Sequence, residues 1–336
     1  MKNIALMLSV ATCISLVSCT QSGVQTSPLK VIFDTDMGND IDDAIALDML
    51  YKYMDEGKVE LLGITSNKEE PQSVEYIDIM NNFYGYPDIP LGKITDGPTC
   101  DRINSFTSQI SADRSYARSI SDYFSLPESV DLMRKLLSVQ EDGETVIIAV
   151  GFSTNLARLM ASGPDAVSPL TGMELIRKKV RHLYMMAGDF IPEDDKWAEY
   201  NVRIDHESAC RVFADWPGEI TLSPSEIGES MLYPVSSVLN DFQYVDKHPM
   251  VEGYKVYKPM PYDRPMWDPS VVLCAVEPEW FTLSASGKVF VDDASYTTHK
   301  VDSEGLHRYI IYNEEQSVKA VERIVEIVTS LPERYK

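Results

Sequence analysis

The chain has 336 residues, 44% hydrophobic and 24% charged, with a formal net charge of −22 at pH 7. That is globular composition and enough chain for one large α/β domain. So much negative charge disfavours nucleic-acid polymers and anionic membrane surfaces, and leaves room for small neutral substrates and bound cations.

Residues 1–18 read as a signal peptide: Lys2 precedes a short apolar run, too brief to span a bilayer as a mature helix. Leu16-Val17-Ser18-Cys19 resembles a bacterial lipobox. That resemblance implies cleavage before Cys19, a diacylglycerol on its sulfur, and residues 19–28 as a flexible tether. The expected location is the bacterial cell envelope, periplasmic or surface-exposed, with membrane contact only through the lipid anchor. An ordinary secretory signal with an incidental Cys19 is the alternative. Cys13 falls in the leader, while Cys100, Cys210 and Cys274 are widely spaced and form no CxxC or Cys/His pattern. Cys210 and Cys274 sit among apolar residues, so buried thiols are expected.

Residues 29–336 read as a single catalytic domain. "LKVIFDTD" (29–36) is a buried strand ending in acid, followed by a helix with Ala44, Leu47, Leu50 and Tyr51 on one face. "VELLGITS" (59–66) is a second strand and "SVEYIDIMNNFYG" (73–85) a second helix. The polar segment 101–129 is poorly patterned and reads as a lid-like insertion. "ETVIIAVG" (144–151) is a strand, and Ser153 or Thr154 starts the next helix. "RHLYMMAG" (181–188) and "EITLSPS" (219–225) are strands around a helix capped by Asp205. Near the end, "WFTLSASGKVFVDD" and "HRYIIYN" read as hairpin strands before a terminal amphipathic helix, 315–331. The alternation predicts an α/β fold with an open, mostly parallel, Rossmann-like sheet and helices on both faces. Ligands of such sheets bind beyond the carboxyl ends of the strands, where Asp34, Asp36, Asn67, Val150 and Gly188 fall.

"VIFDTDMGNDIDDAIAL" (31–47) crowds Asp34, Asp36, Asp40, Asp42 and Asp43 into one strand–turn–helix junction, with no lysine or arginine between Lys30 and Lys52. A helix N-terminus offsets roughly 1 kcal/mol, too little for several carboxylates. A hard divalent cation is the simpler solution, because oxygen-only ligands select calcium or magnesium. A capped helix start with solvated aspartates would explain only one or two of them.

Two families place such a motif after a first strand. "VIFDTD", with "GDFIPEDD" (188–195) downstream, resembles the haloacid dehalogenase-like phosphohydrolases, which would make Asp34 a nucleophile with magnesium. Asp34-Thr35-Asp36-Met37-Gly38 followed by Asp42-Asp43-Ala44 resembles the inosine–uridine preferring nucleoside hydrolases more closely, although the spacer Asn39-Asp40-Ile41 is two residues longer than in the best-known members. The resemblance continues in order through "LLGITSN", "IIAVGFSTNLARLM", "LYMMAGDF" with "AEYNVRIDHESACRVF", and "MWDPSVVL".

Membership implies calcium-dependent hydrolysis of the N-glycosidic bond of nucleosides to free base and ribose. Asp36, Asp43, the Val150 carbonyl and Asp268 would hold Ca2+, and Asp36 would activate the water. Asp42, Asn67, Met186, Glu199 and Asn201 would contact the sugar, with Asp34 as outer support. Many members carry histidine before the late aspartate; here Trp267 stands there, and the resemblance to purine-specific members, which stack the base on a tryptophan at this position, implies a purine leaving group or else a non-nucleoside substrate, with an ordinary core tryptophan as the alternative. Asp194 or Asp195 would substitute for a ribose-binding asparagine, and Trp197 would contact substrate. His206 reads as structural, and Arg264, Asn39 and Asp40 carry no assigned role. A homo-oligomer, dimer or tetramer, is implied by resemblance alone. Against this stands a surface-tethered riboside-binding protein without turnover.

Overall fold

The computed structural model describes residues 27–98, 100, 106–191 and 197–336; Cys19, Asp194 and Asp195 lie outside them. The first half runs β1 (Leu29–Thr35), α1 (Asp42–Asp55), β2 (Val59–Ser66), α2 (Pro71–Tyr84), β3 (Leu91–Gly92), α3 (Phe106–Ala112), α4 (Ser129–Val139), β4 (Thr145–Val150), α5 (Thr154–Ala161), α6 (Gly172–Lys179) and β5 (Val180–Met186). There follow α7 (Tyr200–Ile204), α8 (His206–Asp215), β6 (Ile220–Ser223), α9 (Ser225–Ser230), β7 (Leu232–Tyr233), α10 (Val235–Asn240) and α11 (Pro249–Tyr257). The chain ends with β8 (Arg264–Pro265), α12 (Trp267–Val276), β9 (Gly287–Val291), β10 (Thr297–Val301), β11 (His307–Tyr309) and α13 (Glu314–Thr329).

Nine strands form one sheet in the order β10-β9-β11-β6-β5-β4-β1-β2-β3. From β11 to β3 every neighbouring pair is parallel, whereas β9 runs antiparallel to both β10 and β11. β1 sits deep in the sheet, so its side chains are buried on both faces and its run of apolar residues does not alternate. Val31 and Phe33 pack into the layer of α1, α2, α11, α12 and α13. Ile32 packs into the opposite layer with α4, α5, α6 and α8. The expected α/β architecture with helices on both faces is therefore the observed one, and no described helix is long and apolar enough to cross a membrane.

Several local expectations differ. The hairpin partner of β9 is β10, whereas "HRYIIYN" supplies β11, which joins β6 in parallel. Asp205 makes no side-chain cap to α8, because its carboxylate accepts from the Thr154 hydroxyl at 2.6 Å instead. Within 101–129, the described part is built into the body: α3 packs on α2 and α11 through Phe106, whose ring meets Tyr76 edge-on at 5.0 Å. α4 and α6 went unread in the sequence.

Close packing sets one sharp limit. A Cβ on Gly172, the first residue of α6, would lie 1.6 Å from the Leu159 carbonyl oxygen at the end of α5. Gly172→Ala should therefore cost about 1–3 kcal/mol or more of stability, read as a lower midpoint in urea denaturation. An unchanged midpoint would contradict this packing.

Candidate functional site

The carboxyl end of β1 organises the site. Asp34 is completely buried and accepts from Thr65 Oγ1 at 2.6 Å, Asn155 Nδ2 at 2.8 Å and Asn67 Nδ2 at 2.9 Å. Asn67 also donates to the Val150 carbonyl at 3.4 Å and accepts from the Phe152 N–H at 3.2 Å. One carboxylate thus ties together the ends of β1, β2 and β4. Burial pushes it up to about 6 against the pull of those three donors. Neither Asp34 nor Asn67 lines the cavity that opens beyond these strands. Asn67 was expected to touch substrate; its hydrogen-bonding groups are spent on the scaffold.

That cavity is lined by Asp36, Asn39, Asp40, Asp42, Asp43, Met186, Trp197, Glu199, Tyr200, Asn201, Ser225, Trp267 and Asp268. After β1 the chain turns at Gly38 (φ 106°) and enters α1 at Asp42. Asp36 lies against the β4 exit: a Cβ on Gly151 (φ +105°) would come within 2.6 Å of its carboxyl group. Asn39 Nδ2 donates to Asp36 Oδ2, which gives the unexplained spacer residue a task. Thr35 Oγ1 donates to Asp43 Oδ1, and Asp43 Oδ2 is buried without a partner among the described residues.

Two helix N-termini converge here, because Asp42 opens α1 and Asp268 is the second residue of α12. The Asp268 N–H donates to Asp42 Oδ2 at 3.1 Å. Asp42, Asp43 and Asp268 are buried, each offering an oxygen, and these oxygens all lie within 4.8 Å of one another. Burial, then Asp40, pushes the Asp42 carboxyl well above the ordinary range. Burial and the charges of Asp36 and Asp42 do the same to Asp43, and burial with Asp42 and Asp43 to Asp268. A cation would offset both causes by compensating the buried charge. The donor set fits one: oxygen-only, buried, with a carboxylate oxygen still unpartnered. Solvated aspartates are excluded by the burial.

On the far side, Glu199 caps α7, accepting from the N–H groups of Asn201 (2.8 Å), Val202 (3.1 Å) and Gly188 (3.3 Å). Asn201 Nδ2 reaches Met186 Sδ at 3.2 Å. Trp267 Nε1 donates to the Ser225 carbonyl at 3.0 Å, and Trp197 Nε1 to Ser225 Oγ at 3.2 Å. Tyr200 and Ser225 line the cavity with nothing in their local sequence to mark them. Among the described residues no histidine lines it. His206 instead pairs with Ser295 at 2.9 Å.

Carboxylates around an oxygen-donor pocket that an indole also lines, beyond the carboxyl ends of a parallel α/β sheet, define the site of a hydrolase of the glycosidase kind. More particularly, the family model for inosine-uridine preferring nucleoside hydrolases matches residues 31–326, and the chain belongs to that family. Its fold is similar to a plant nucleoside hydrolase, the PpNRh1 enzyme (TM-score 0.68, 21% identity, covering 92% of this chain and 99% of that one). It is also similar to an inosine-uridine preferring nucleoside hydrolase from Bacillus anthracis (0.66, 18%, 89% and 99%). A third similar structure is a purine-preferring ribonucleoside hydrolase from Gardnerella vaginalis (0.67, 18%, 89% and 99%). No curated protein matches by sequence. The family match and the sealed, triply hydrogen-bonded Asp34 overturn the phosphohydrolase alternative, which required Asp34 as an accessible nucleophile.

Glu199 offers a pH test. Burial pushes its carboxyl from 4.5 up to about 7, so the folded state holds the proton more tightly than the unfolded chain. Its contribution favours folding at low pH and is lost as pH rises through that window. Denaturant titrations from pH 4 to 8 should show Glu199→Gln gaining on wild type by roughly 1–3 kcal/mol across the window. A constant difference would refute the shift.

Proposed function

We propose that the protein hydrolyses nucleosides with the aid of calcium, favouring purine ribonucleosides, and that Asp36 is the general base. The observation that carries this reading is the convergence of Asp42, Asp43 and Asp268 within 4.8 Å around an unpartnered Asp43 oxygen. Asp43 and Asp268 of that cluster would hold the ion with Asp36, which lies outside the cluster, and the Val150 carbonyl, while Asp42, its third member, would face the sugar. When bound, Ca2+ would orient the attacking water and lower its pKa.

The chain's own groups do the rest. Asp36, held by Asn39, accepts the proton from water as the bond to the anomeric carbon forms. Asp42 accepts a hydrogen bond from a sugar hydroxyl. Glu199 and Asn201 bind the 5′ side of the sugar, and Met186 packs against it. These contacts fix the sugar as it flattens towards an oxocarbenium-like transition state. With no histidine among the described residues of the cavity wall, the C–N bond's electron pair leaves with the base, which departs as an anion stacked on Trp267 and takes up its proton from solvent; the larger, better-stacking purine is favoured over a pyrimidine. The lipid anchor belongs to the same proposal. Loss of lipid labelling in Cys19→Ser would support the anchor, and unchanged labelling would sink it. A homo-oligomer is part of the same reading, and sedimentation as a monomer would refute it.

After chelation, base release from inosine, guanosine and adenosine should vanish and return with calcium; uridine should be the slower substrate. Asp36→Asn should lower kcat at least about a hundredfold with calcium present, the scale of a lost general base. Near-normal kcat in that variant would remove Asp36 from the role. Full activity in chelator would remove the metal.

A further inference from the structure

Arg264 has no place in the chemistry above, yet it is only 7% exposed beside the cavity. Its guanidinium grips Asp40 in a fork: Nε donates to Oδ1 at 2.7 Å and Nη2 to Oδ2. The Tyr257 hydroxyl donates to the same Asp40 Oδ2 at 3.0 Å. The guanidinium carbon lies 4.9 Å from the centre of the Trp267 ring and 5.2 Å from that of Tyr257. Arg264 itself does not line the cavity, whereas Asp40 and Trp267 do. The arginine therefore acts from behind the wall.

Trp267 is held at its other sides as well. Its Nε1 is tied to the Ser225 carbonyl, and a Cβ on Gly228 would sit 2.2 Å from its Cδ1. Asp40 belongs to the lengthened spacer, so this spacer residue and Arg264 form one unit. Only a planar, delocalised cation can fork a carboxylate and lie against a ring at once.

We propose that Arg264 and Asp40 are positioning residues for the leaving base: the forked pair holds the guanidinium against Trp267 and fixes the indole as the stacking wall. The proposal rests on Trp267 as the leaving-group wall. A stacking surface that moves as the glycosidic bond lengthens loses its contact in the transition state, so the effect falls on kcat rather than KM. A substrate whose leaving group needs no help is insensitive to it.

The test compares inosine with p-nitrophenyl ribofuranoside, whose nitrophenolate departs unaided. In calcium-loaded full-length protein, Arg264→Gln should lower kcat on inosine about ten- to a hundredfold, the scale of a slightly misplaced group. It should change turnover of the nitrophenyl riboside by less than about threefold. Arg264→Lys should not rescue, and Asp40→Asn with Arg264→Gln should be no worse than Arg264→Gln alone. Equal losses on both substrates, additive losses, or full rescue by lysine would each overturn the proposal in favour of a purely structural ion pair. Wild-type protein that cleaves neither riboside would refute the hydrolase reading instead. The positioning claim is then read from 19F spectra of fluorotryptophan-labelled protein, where the Trp267 line, identified by its loss in Trp267→Phe, should broaden in Arg264→Lys. An unchanged line overturns it.

Discussion

Mutual repulsion of buried carboxylates at the meeting of α1 and α12 is the constraint on which the site depends. Two unit charges within 4.8 Å repel by about 3 kcal/mol or more at an effective dielectric near 20. Asp42, Asp43 and Asp268 make three such pairs. Two helix N-termini return roughly 1 kcal/mol each. The shortfall is several kcal/mol, and either protons or a cation must cover it. Protons would disable the site near neutrality, since a protonated carboxyl cannot hold a metal or take a proton from water.

The surrounding structure divides the acids by task. Asp34 is taken out of the chemistry and made the knot of the β1, β2 and β4 ends, with Thr65, Asn67 and Asn155 as its donors. Asp40 is neutralised by Arg264 inside the protein. Asp36 is steered by Asn39 towards the turn at Gly151. What is left is a compact oxygen cluster and one Asp43 oxygen without a partner among the described residues, in a cavity that Trp267, Glu199 and Asn201 also line. An enzyme that attacks a sugar with water needs such a division: carboxylates where water arrives, polar groups for the sugar hydroxyls, and an aromatic surface where the base departs.

Much of this was legible in the sequence. β1, β2, β4 and β5 could be read because buried parallel strands are continuous apolar runs with polar ends. Asp36, Asp42 and Asp43 could be picked out because a dense acidic stretch without lysine or arginine demands an external charge, whereas Asp268 was reached only through the family resemblance. The C-terminal topology was not legible: β10, "TTHKV" (297–301), carries little apolar signal, and its pairing is set by contacts with β9 rather than by its own pattern. Arg264, Ser225 and Gly228 were equally silent, since each acts through a partner distant in sequence or across a turn. Asn67 misled for the same reason. Its position after a strand marks it for the site, but only the fold reveals that Asp34, Val150 and Phe152 consume its hydrogen bonds.

The central claim, that a divalent cation balances the Asp42–Asp43–Asp268 cluster, is tested most directly by calorimetric titration of calcium into chelator-treated protein. One ion per chain should bind, and Asp43→Asn should weaken it at least tenfold. Absence of a binding isotherm in wild type, or one that Asp43→Asn leaves unchanged, would contradict it.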